Sequence, residues 1–383
     1  MIRLEGNILS PQGFMHGSIE FASGSDSGNS INGRIASIQG ERIDAKAVRD
    51  STLPMLLPGF IDSHVHGGGG HDIMDGGDSA SRIAALHARH GTTSLLATTM
   101  TAPMSDLEVA FGGLAPFCDV KMDPVGARVL GVHLEGPYIN PGKLGAQPDF
   151  ARPLDAAELR HLNAMAPIRL ITLAPEVAGN LEAIGALVAA GFRIQIGHSL
   201  GSFEDGVKAL ANGASGFTHL FNAMTGLHHR QPGMVGAALA HAEFAEIIPD
   251  LLHVHAGAMR VALRCIPRLF CVTDSTAAAG MPDGEYRLGR HTVTKCLGGV
   301  RLPDGTLAGS TLTMDQAFRN LVDALGLDLI DASHRVSTNA ADYLGLGDRG
   351  RLAPGAWADI VVLDRDLAVQ GVYVEGTSIA LAR

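Results

Sequence analysis

Short apolar runs that each end in a polar residue or a turn recur along the middle of the chain. The runs are Phe60–His66, Ser94–Met100, Val129–Glu135, Ile168–Ala174, Phe192–His198, Gly216–Asn222, Leu251–His255 and Leu269–Asp274. Runs of this length with little polar alternation are typical of strands that are buried on both faces, as in a parallel sheet. The pattern therefore predicts eight buried strands.

Amphipathic stretches separate most of these runs. Ser81–His90 and Leu181–Ala190 carry apolar residues at helical spacing, and each is followed by a glycine. Ser202 is a typical N-cap for another helix, which we expect to end near Gly213. Eight strands that alternate with helices predict an α/β fold, a (β/α)8 TIM barrel. The alternative is a doubly wound open sheet, which would gather the polar residues at one switch point rather than at nearly every strand end.

The two ends of the chain have the pattern of a small sheet. Residues 23–32 are rich in Gly, Ser, Asn and Asp, which predicts a loop. Strands are predicted at Arg34–Ile38, Ala358–Asp364 and Gly371–Glu375. The N-terminal segment is too small to bury a core by itself. We expect a small β-sandwich domain from residues 1–54 and 354–383, and a barrel from residues 55–353.

The composition limits which partners and which cellular location are expected for the protein. The formal net charge of −10 disfavours a nucleic-acid partner but permits a small phosphorylated substrate, which needs only local cations. The four cysteines form no C-x-x-C pair, so neither a zinc knuckle nor a disulfide framework is indicated, and a cytoplasmic location is expected. The first residues lack the pattern of a signal peptide, and no apolar run is long enough to predict a membrane span.

Metal-type and acid–base side chains stand at the predicted strand ends. They are His64, His66, Glu135, His198, His219, His253 and Asp274. In a barrel these ends meet at one mouth, and residues two apart in a strand share a face, so the pattern predicts a metal site. Imidazoles and carboxylates without cysteine favour Zn²⁺, with Fe²⁺ or another first-row ion as alternatives.

Several further residues have more than one interpretation. Asp274 can accept a proton from water, or it can be a helix N-cap. Arg230 suits a phosphate, although a lone arginine is more often a solvated surface residue. His253 and His255 repeat the His-x-His spacing, and spacing alone does not decide whether they bind a metal. His133 shares a strand face with Glu135, and we expect it to be a packing residue or a residue that supports a metal ligand.

Longer motifs resemble those of the N-acetylglucosamine-6-phosphate deacetylases, within the amidohydrolase superfamily. The motifs are PGFIDSHVHGGGG, GVHLEGPYINPGKLGA, IGHS, FTHLFNAMTG, LLHVHAG, VTDSTAAAG, LAGSTLTM and GRLAPGAWADIVVLD. The resemblance covers nearly the whole chain. It implies hydrolysis of the acetamide of N-acetyl-D-glucosamine 6-phosphate to D-glucosamine 6-phosphate and acetate, in amino-sugar catabolism.

The resemblance also implies roles for individual residues. It places the principal metal on Glu135, His198 and His219, a second metal on His64 and His66, and the catalytic carboxylate on Asp274. One or two ions per subunit are therefore expected. Substrate contacts are implied for Ala146, Asn222, Ala223, Arg230, His253, Leu307, Ala308 and Gly309. A homodimer is implied as well, in which Arg230 can serve the partner's site.

Two departures from the family pattern and three alternative functions accompany this prediction. Gln147 stands where many relatives have histidine, and Leu251 stands where relatives often have glycine. A cyclic amidase or deaminase is less favoured, because a carboxylated lysine would be expected on the run Ile168–Ala174, which has none. A sugar-phosphate sensor would lack the proton shuttle, whereas Asp274 is present. The N-acetylgalactosamine 6-phosphate epimer stays open as a substrate.

Overall fold

The computed structural model of the protein describes residues 1–24, 33–118 and 126–381. The loop predicted at residues 23–32 lies mostly outside the described residues. The chain begins with the elements β1 (Ile2–Ser10), β2 (Gly13–Phe21), β3 (Ile35–Arg42), α1 (Ala45–Asp50) and β4 (Met55–Pro58).

The central part of the chain alternates between strands and helices. Its elements are β5 (Phe60–Val65), β6 (Gly67–Gly68), β7 (His71–Asp72), α2 (Ser79–Arg89), β8 (Thr92–Thr99), α3 (Met104–Leu114), β9 (Arg128–Glu135), α4 (Ala156–Met165), β10 (Ile168–Leu173), α5 (Asn180–Ala189), β11 (Arg193–Ile196), α6 (Phe203–Ala211), β12 (Gly216–Phe217), α7 (Gly233–His241), β13 (Phe244–Ile247), α8 (Ala256–Cys265) and β14 (Arg268–Cys271). Short 3₁₀ turns cover Ile73–Asp75 and Pro141–Lys143.

The C-terminal part adds a hairpin, a helical segment and the last strands. Its elements are β15 (Gly284–Leu288), β16 (His291–Cys296), β17 (Gly299–Arg301), α9 (Met314–Arg319), α10 (Leu329–Ser333), α11 (Asn339–Leu344), β18 (Ile360–Leu363), β19 (Val369–Val374) and β20 (Thr377–Ser378). Single π-helical turns, Asn320–Ala324 and His334–Thr338, join the three helices. Among the described residues, no helix has both the length and the apolar character to cross a bilayer.

Eight parallel strands form the barrel. β5, β8, β9, β10, β11 and β12 pair side by side in that order, and β13 pairs with β14. β12 lies beside β13, and the ring closes where the backbone N–H of Asp274 donates to the carbonyl of His64 at 2.9 Å. The main apolar core lies between these strands and the surrounding helices. The predicted (β/α)8 barrel is confirmed.

One predicted strand was wrong. The seventh barrel strand is Phe244–Ile247, and the run Leu251–His255 forms bends and then the start of α8. The true strand is short, and its third residue is a glutamate, Glu246, so that it lacks an apolar run. Glu246 is fully buried because Ser63 and His64 bond its carboxylate. His253 therefore lies in the loop after the seventh strand and not at a strand end.

The predicted helix boundaries agree closely with the structure. Helices were predicted at Ser81–His90, Leu181–Ala190 and after Ser202, and α2, α5 and α6 cover those stretches. The side chain of Ser202 accepts a hydrogen bond from the N–H of Asp205, whose carboxylate in turn accepts from the N–H of Ser202. This reciprocal cap satisfies N–H groups that the first helical turn leaves without partners.

The strands from both termini form one sheet of seven strands. Their order is β20-β19-β18-β4-β1-β2-β3, so β4 joins the N-terminal strands to the C-terminal ones. The sheet packs on a small apolar cluster of its own, which includes Ile8, Phe21 and Ile360. The β-domain from the two termini is thus confirmed, and its exact boundaries at residues 54 and 354 stay predictions.

Buried ion pairs join this sheet to the barrel. Arg128, at the start of β9, donates two hydrogen bonds to Glu375, which follows β19, at 2.9 and 2.5 Å. Arg349 bonds both Glu375 and Asp359. All four side chains are at most 10 % exposed. Buried charges of this kind are tolerated only when they are paired, so the network fixes how the two parts meet.

Substitution Glu375→Ala should lower the free energy of unfolding by about 3–5 kcal/mol, because it leaves two buried guanidinium groups short of a partner. Urea denaturation followed by circular dichroism measures this. The matched control is Glu5→Ala, which breaks an exposed pair with Arg3 and should cost at most about 1 kcal/mol. Equal losses in both variants would contradict a joining role for the network.

Candidate active site and metal centre

The polar residues predicted at the strand ends gather at one mouth of the barrel. All of them except His64 line a cavity of about 560 Å³, together with residues of the loops that follow the strands. The lining residues include His66, Glu135, His198, His219, Asn222, His253 and Asp274. The carboxyl ends of barrel strands are where active sites of this fold lie.

Glu135, His198 and His219 form the first group of possible metal ligands. Glu135 Oε1 lies 3.0 Å from Nε2 of His198 and 3.0 Å from Nε2 of His219. The two imidazole nitrogens are 3.1 Å apart. Three ligand atoms that converge so closely leave a position that a divalent cation can share.

His64, His66 and Asp274 form the second group. Nε2 of His64 and Nε2 of His66 are 3.2 Å apart, and Asp274 Oδ1 lies 3.3 Å from the latter. Glu135 Oε2 is 3.1 Å from the same His66 nitrogen, whereas Oε1 faces the first group. One carboxylate thus reaches both groups, and Glu135 would serve as a ligand to a cation in either of them.

The histidines are held with Nε2 facing the mouth. Nδ1 of His64 donates to Glu246 at 3.1 Å, Nδ1 of His66 to the carbonyl of Thr98 at 3.2 Å, and Nδ1 of His198 to the carbonyl of Lys143 at 2.9 Å. An N–H at Nδ1 leaves the Nε2 lone pair free in the neutral ring. This tautomer is the one that a metal ligand requires.

The imidazole nitrogens and carboxylate oxygens of the two groups attract both protons and cations. Burial by itself lowers the pKa of His66, but hydrogen bonds to Asp274 and Glu135 raise it to about 9. Burial likewise opposes the charge on His64, and the carboxylates raise its pKa well above the usual value. Burial raises the pKa of Glu135, and the surrounding imidazoles lower it well below the usual range. The donor set therefore fits a divalent cation, which can replace the protons.

Three of these residues have strained backbones. The φ angles are +49° at His198, +27° at His219 and +50° at Asp274, in the region that favours glycine. Each such residue costs on the order of 1–3 kcal/mol, and strain of this kind clusters at functional sites. Leu251 also has a positive φ, of +66°, so its position suits the glycine that relatives often have there.

Asp274 faces the cavity and does not cap a helix. Residues 277–280 form a turn, and no helix lies between Asp274 and the strand β15, so the N-cap interpretation is excluded. Its carboxylate faces the cavity, where Oδ1 is 3.6 Å from Nε2 of His64. Burial opposes its charge, but His64, His66 and His219 lower its pKa. Asp274 is therefore an ionised carboxylate at the cavity wall.

Residues of the loops after β12 and β13 also line the cavity. Asn222 and Ala223 follow β12, and His253 follows β13. Nδ1 of His253 donates to Asp250 at 2.6 Å, which turns Nε2 of the ring away from that carboxylate. Burial lowers the pKa of His253, but the bond to Asp250 raises it above the usual value.

The remaining predicted substrate contacts are dispersed. Ala146, Leu307 and Gly309 line the cavity, whereas Ala308 is buried and its N–H donates to the carbonyl of Val300 at 3.0 Å. Arg230 is exposed, bonds His229 at 2.9 Å and does not line the cavity of its own chain.

Comparison with known proteins agrees with this geometry. A model of the amidohydrolase family matches residues 55–379. The chain belongs to the amidohydrolase family.

Three individual relatives of this amidohydrolase are named as deacetylases of N-acetylated amino-sugar 6-phosphates. An N-acetylgalactosamine-6-phosphate deacetylase of Escherichia coli O157:H7 is 42% identical over 86% of this chain and 89% of that protein. An N-acetylglucosamine-6-phosphate deacetylase of Vibrio furnissii is 40% identical over 90% of this chain and 88% of that protein. A D-to-A mutant of the Mycobacterium smegmatis N-acetyl-D-glucosamine-6-phosphate deacetylase, solved with N-acetyl-D-glucosamine 6-phosphate, is 33% identical, covers 99% of both chains and has a TM-score of 0.88.

Three residues that shape this amidohydrolase site were missed in the sequence. Glu246 supports His64, Asp250 supports His253, and Gln147 donates from Nε2 to Glu135 Oε2 at 2.5 Å. The Gln147 carbonyl oxygen accepts from the N–H of Thr101 at 2.6 Å, which fixes the amide. Gln147 was noted only as a departure from the family pattern, and no local pattern marks the other two.

Two other histidines of the amidohydrolase bond to neighbouring structure. His133 bonds the carbonyl of Ser63 and the hydroxyl of Thr172, so it is a packing residue as expected. His255 is the N-cap of α8, where its Nδ1 accepts from the N–H of Gly257 at 3.1 Å. The two rings of the second His-x-His pair thus have different partners, Asp250 and the N–H of Gly257.

The glycine run after His66 lets two loops approach closely. A Cβ at Gly67 would lie 2.5 Å from the backbone nitrogen of Ala277 and 2.5 Å from the carbonyl of His71. The N–H groups of His66 and Gly67 both donate to the carbonyl of Ser275 at 2.9 Å. The backbone that carries Asp274 is thereby held against the backbone that carries the His-x-His pair.

Substitution Glu246→Ala should weaken metal binding about 10–100-fold, because His64 loses the acceptor that fixes its tautomer. Titration against a chromogenic chelator measures the affinity. Glu243→Ala is the matched control, since that exposed side chain precedes the same strand and pairs with Arg268 at the surface. Unchanged affinity in Glu246→Ala would contradict this role.

Proposed function

We propose that this amidohydrolase hydrolyses N-acetyl-D-glucosamine 6-phosphate to D-glucosamine 6-phosphate and acetate. One observation carries the proposal: one cavity is lined by Asp274, by members of two groups of metal-type ligands, and by Asn222 and His253. A substrate with an amide beside Asp274 and a phosphate beside His253 matches that arrangement. Relatives at 36–42% identity with deacetylase activity on amino-sugar phosphates support it.

The residues that would hold the cations are those of the two groups. Glu135, His198 and His219 would hold the first, and His64 and His66 the second, with Glu135 shared. A divalent cation bound there lowers the pKa of water and polarises a carbonyl oxygen. We propose Zn²⁺ as the ion, because the ligands are imidazoles and carboxylates without cysteine.

Asp274 performs the proton transfers. As an ionised carboxylate it accepts a proton from the attacking water, and the oxygen of that water adds to the acetyl carbon. The resulting tetrahedral species carries negative charge on the former carbonyl oxygen. Protonated Asp274 then donates to the sugar nitrogen as the C–N bond breaks, which releases acetate and a free amine. Asp274 thus takes a proton from water and delivers one to the sugar nitrogen.

The remote groups orient the sugar. His253, which Asp250 favours in its charged form, attracts the phosphate, and Asn222 offers its side-chain amide. Binding energy from these contacts can hold the amide near Asp274. We propose contacts from Ala146, Ala223, Leu307, Ala308 and Gly309 as well, as the family resemblance implies.

A second subunit would complete the phosphate site. Arg230 is exposed and lies outside the cavity of its own chain, so it is available to a neighbouring molecule. We propose a homodimer in which Arg230 serves the partner's phosphate. A cytoplasmic location stays a prediction that rests on the cysteine pattern.

The galacto epimer is a second candidate substrate, favoured by the 42% identical relative from Escherichia coli. The two sugars differ in the configuration of one hydroxyl. Comparing kcat/KM for both 6-phosphates on one enzyme preparation assigns the substrate. We expect the higher value for N-acetylglucosamine 6-phosphate, and a higher value for the galacto epimer would exchange the two assignments.

Substitution Asp274→Asn should reduce acetate release about 10²–10⁴-fold, because the amide cannot accept the proton of water. Metal content and binding of the sugar phosphate should stay near those of the wild type. Asp283→Asn, an exposed site in the loop that follows, is the control. Acetate release near the wild-type rate in Asp274→Asn would remove this residue from the mechanism.

Metal analysis tests the two groups separately. The wild type should contain about two ions per subunit, and the variant His64→Gln, His66→Asn should contain about one, because Glu135, His198 and His219 remain. Inductively coupled plasma mass spectrometry after gel filtration counts the ions. A single ion in both proteins would show that His64 and His66 do not bind a second cation and only support the first.

A further inference from the structure

A second cavity lies beside the active site. Its volume is about 230 Å³, and its lining includes Met74, Met100, Ala102, Val109, Pro148 and Arg287. The charge at its rim is partly neutralised, because Arg290 donates to both oxygens of Asp106 at 2.7 and 3.1 Å. The apolar lining comes from Met74, Met100, Ala102, Val109 and Pro148, so a short apolar chain is the chemical class that we expect there.

The wall between the two cavities is thin and includes one shared side chain. Gln147 and Leu288 line the active site, and the residues that follow them, Pro148 and Gly289, line the second cavity. Among the described residues, Met100 alone lines both cavities. Removing the Met100 side chain would therefore join the two spaces.

The position of Met100 in the barrel places it on the side towards which the acyl group of the substrate would point. It directly follows β8, the barrel strand between β5, which carries His64, and β9, which ends in Glu135. Asn222 follows β12, which lies four strands away in a ring of eight and hence on the opposite side. A substrate whose amide lies at the centre and whose phosphate lies on the β12 side must direct its acyl group towards β8.

The Met100 side chain is tightly enclosed. It is 2 % exposed and packs in an apolar cluster with Leu288, Val293 and Ala308. Its N–H contacts the sulfur of Met74 at 3.4 Å. An enclosed side chain at the end of a subsite limits the length of the group that the subsite accepts.

We propose that Met100 sets the acyl-chain limit of the enzyme, and that the cavity behind it becomes an acyl subsite for longer N-acyl amino-sugar phosphates when this side chain is shortened. This inference rests on the proposed function. The reaction is unchanged in kind: water adds its oxygen to the acyl carbon, the C–N bond breaks, and a carboxylate and an amine are released. Only the length of the acyl chain differs.

The test compares N-acetyl, N-propionyl and N-butyryl D-glucosamine 6-phosphate by release of the free amine. In the wild type, kcat/KM should fall about tenfold or more from acetyl to butyryl, because added methylenes meet Met100. In Met100→Ala the butyryl-to-acetyl ratio of kcat/KM should rise about tenfold or more. Met100→Leu, which nearly conserves volume, should keep the wild-type ratio.

A double variant tests whether the second cavity receives the chain. Val109 lines only that cavity and is 56% exposed, so Val109→Phe can fill the cavity from its outer side. Adding Val109→Phe to Met100→Ala should return the ratio towards the wild-type value. A double variant that keeps the raised ratio would show that the chain does not enter there.

The outcomes separate this inference from the function beneath it. If the wild type releases amine equally well from all three substrates, or if folded Met100→Ala hydrolyses the acetyl substrate with an unchanged ratio, the acyl limit is not set by Met100. If the wild type releases no amine from the acetyl substrate, the proposed function fails instead. If Met100→Ala does not fold, Met100→Val, which removes less volume, takes its place, and an unchanged ratio in that variant contradicts the inference.

Discussion

The arrangement of the barrel mouth depends on one buried carboxylate. Glu135 is 1 % exposed, and its two oxygens lie 3.0–3.5 Å from the Nε2 atoms of four histidines. A buried charge without partners would cost several kcal/mol, so the four imidazoles and the carboxylate stabilise one another. The four histidines come from three different strands, and their meeting point defines the centre of the site.

The surrounding elements hold this cluster in a strained geometry. His198, His219 and Asp274 all adopt positive φ, which turns their side chains inward at the strand ends. Hydrogen bonds fix the turns on either side, for example from the N–H of Asp274 to the carbonyl of His64. The fold tolerates strain at these three residues because a large apolar core stabilises the strands beneath them. The barrel therefore supplies the free energy that the active-site backbone requires.

The sequence predicted the barrel because most of its strands are apolar runs with polar ends. The prediction failed at the seventh strand, since Glu246 interrupts the run and is buried only through bonds to Ser63 and His64. Those partners lie 183 and 182 positions away in the chain, so no local pattern contains them. Gln147 is similar, because its bonds to Thr101 and Glu135 depend on how loops meet. The ligand types were predictable, and the residues that hold them were not.

In this site, bound cations and bound protons both neutralise the negative charge of buried carboxylates. Three buried carboxylates, Glu135, Asp274 and Glu246, face imidazoles that are uncharged in their ligating form. Without a cation, protons must balance the negative charge, which is why the pKa of His66 is raised to about 9. A cation that binds to Nε2 must displace such a proton, so its affinity depends on pH. The same positive charge that holds Glu135 in place also keeps Asp274 ionised, and thus able to accept a proton from water.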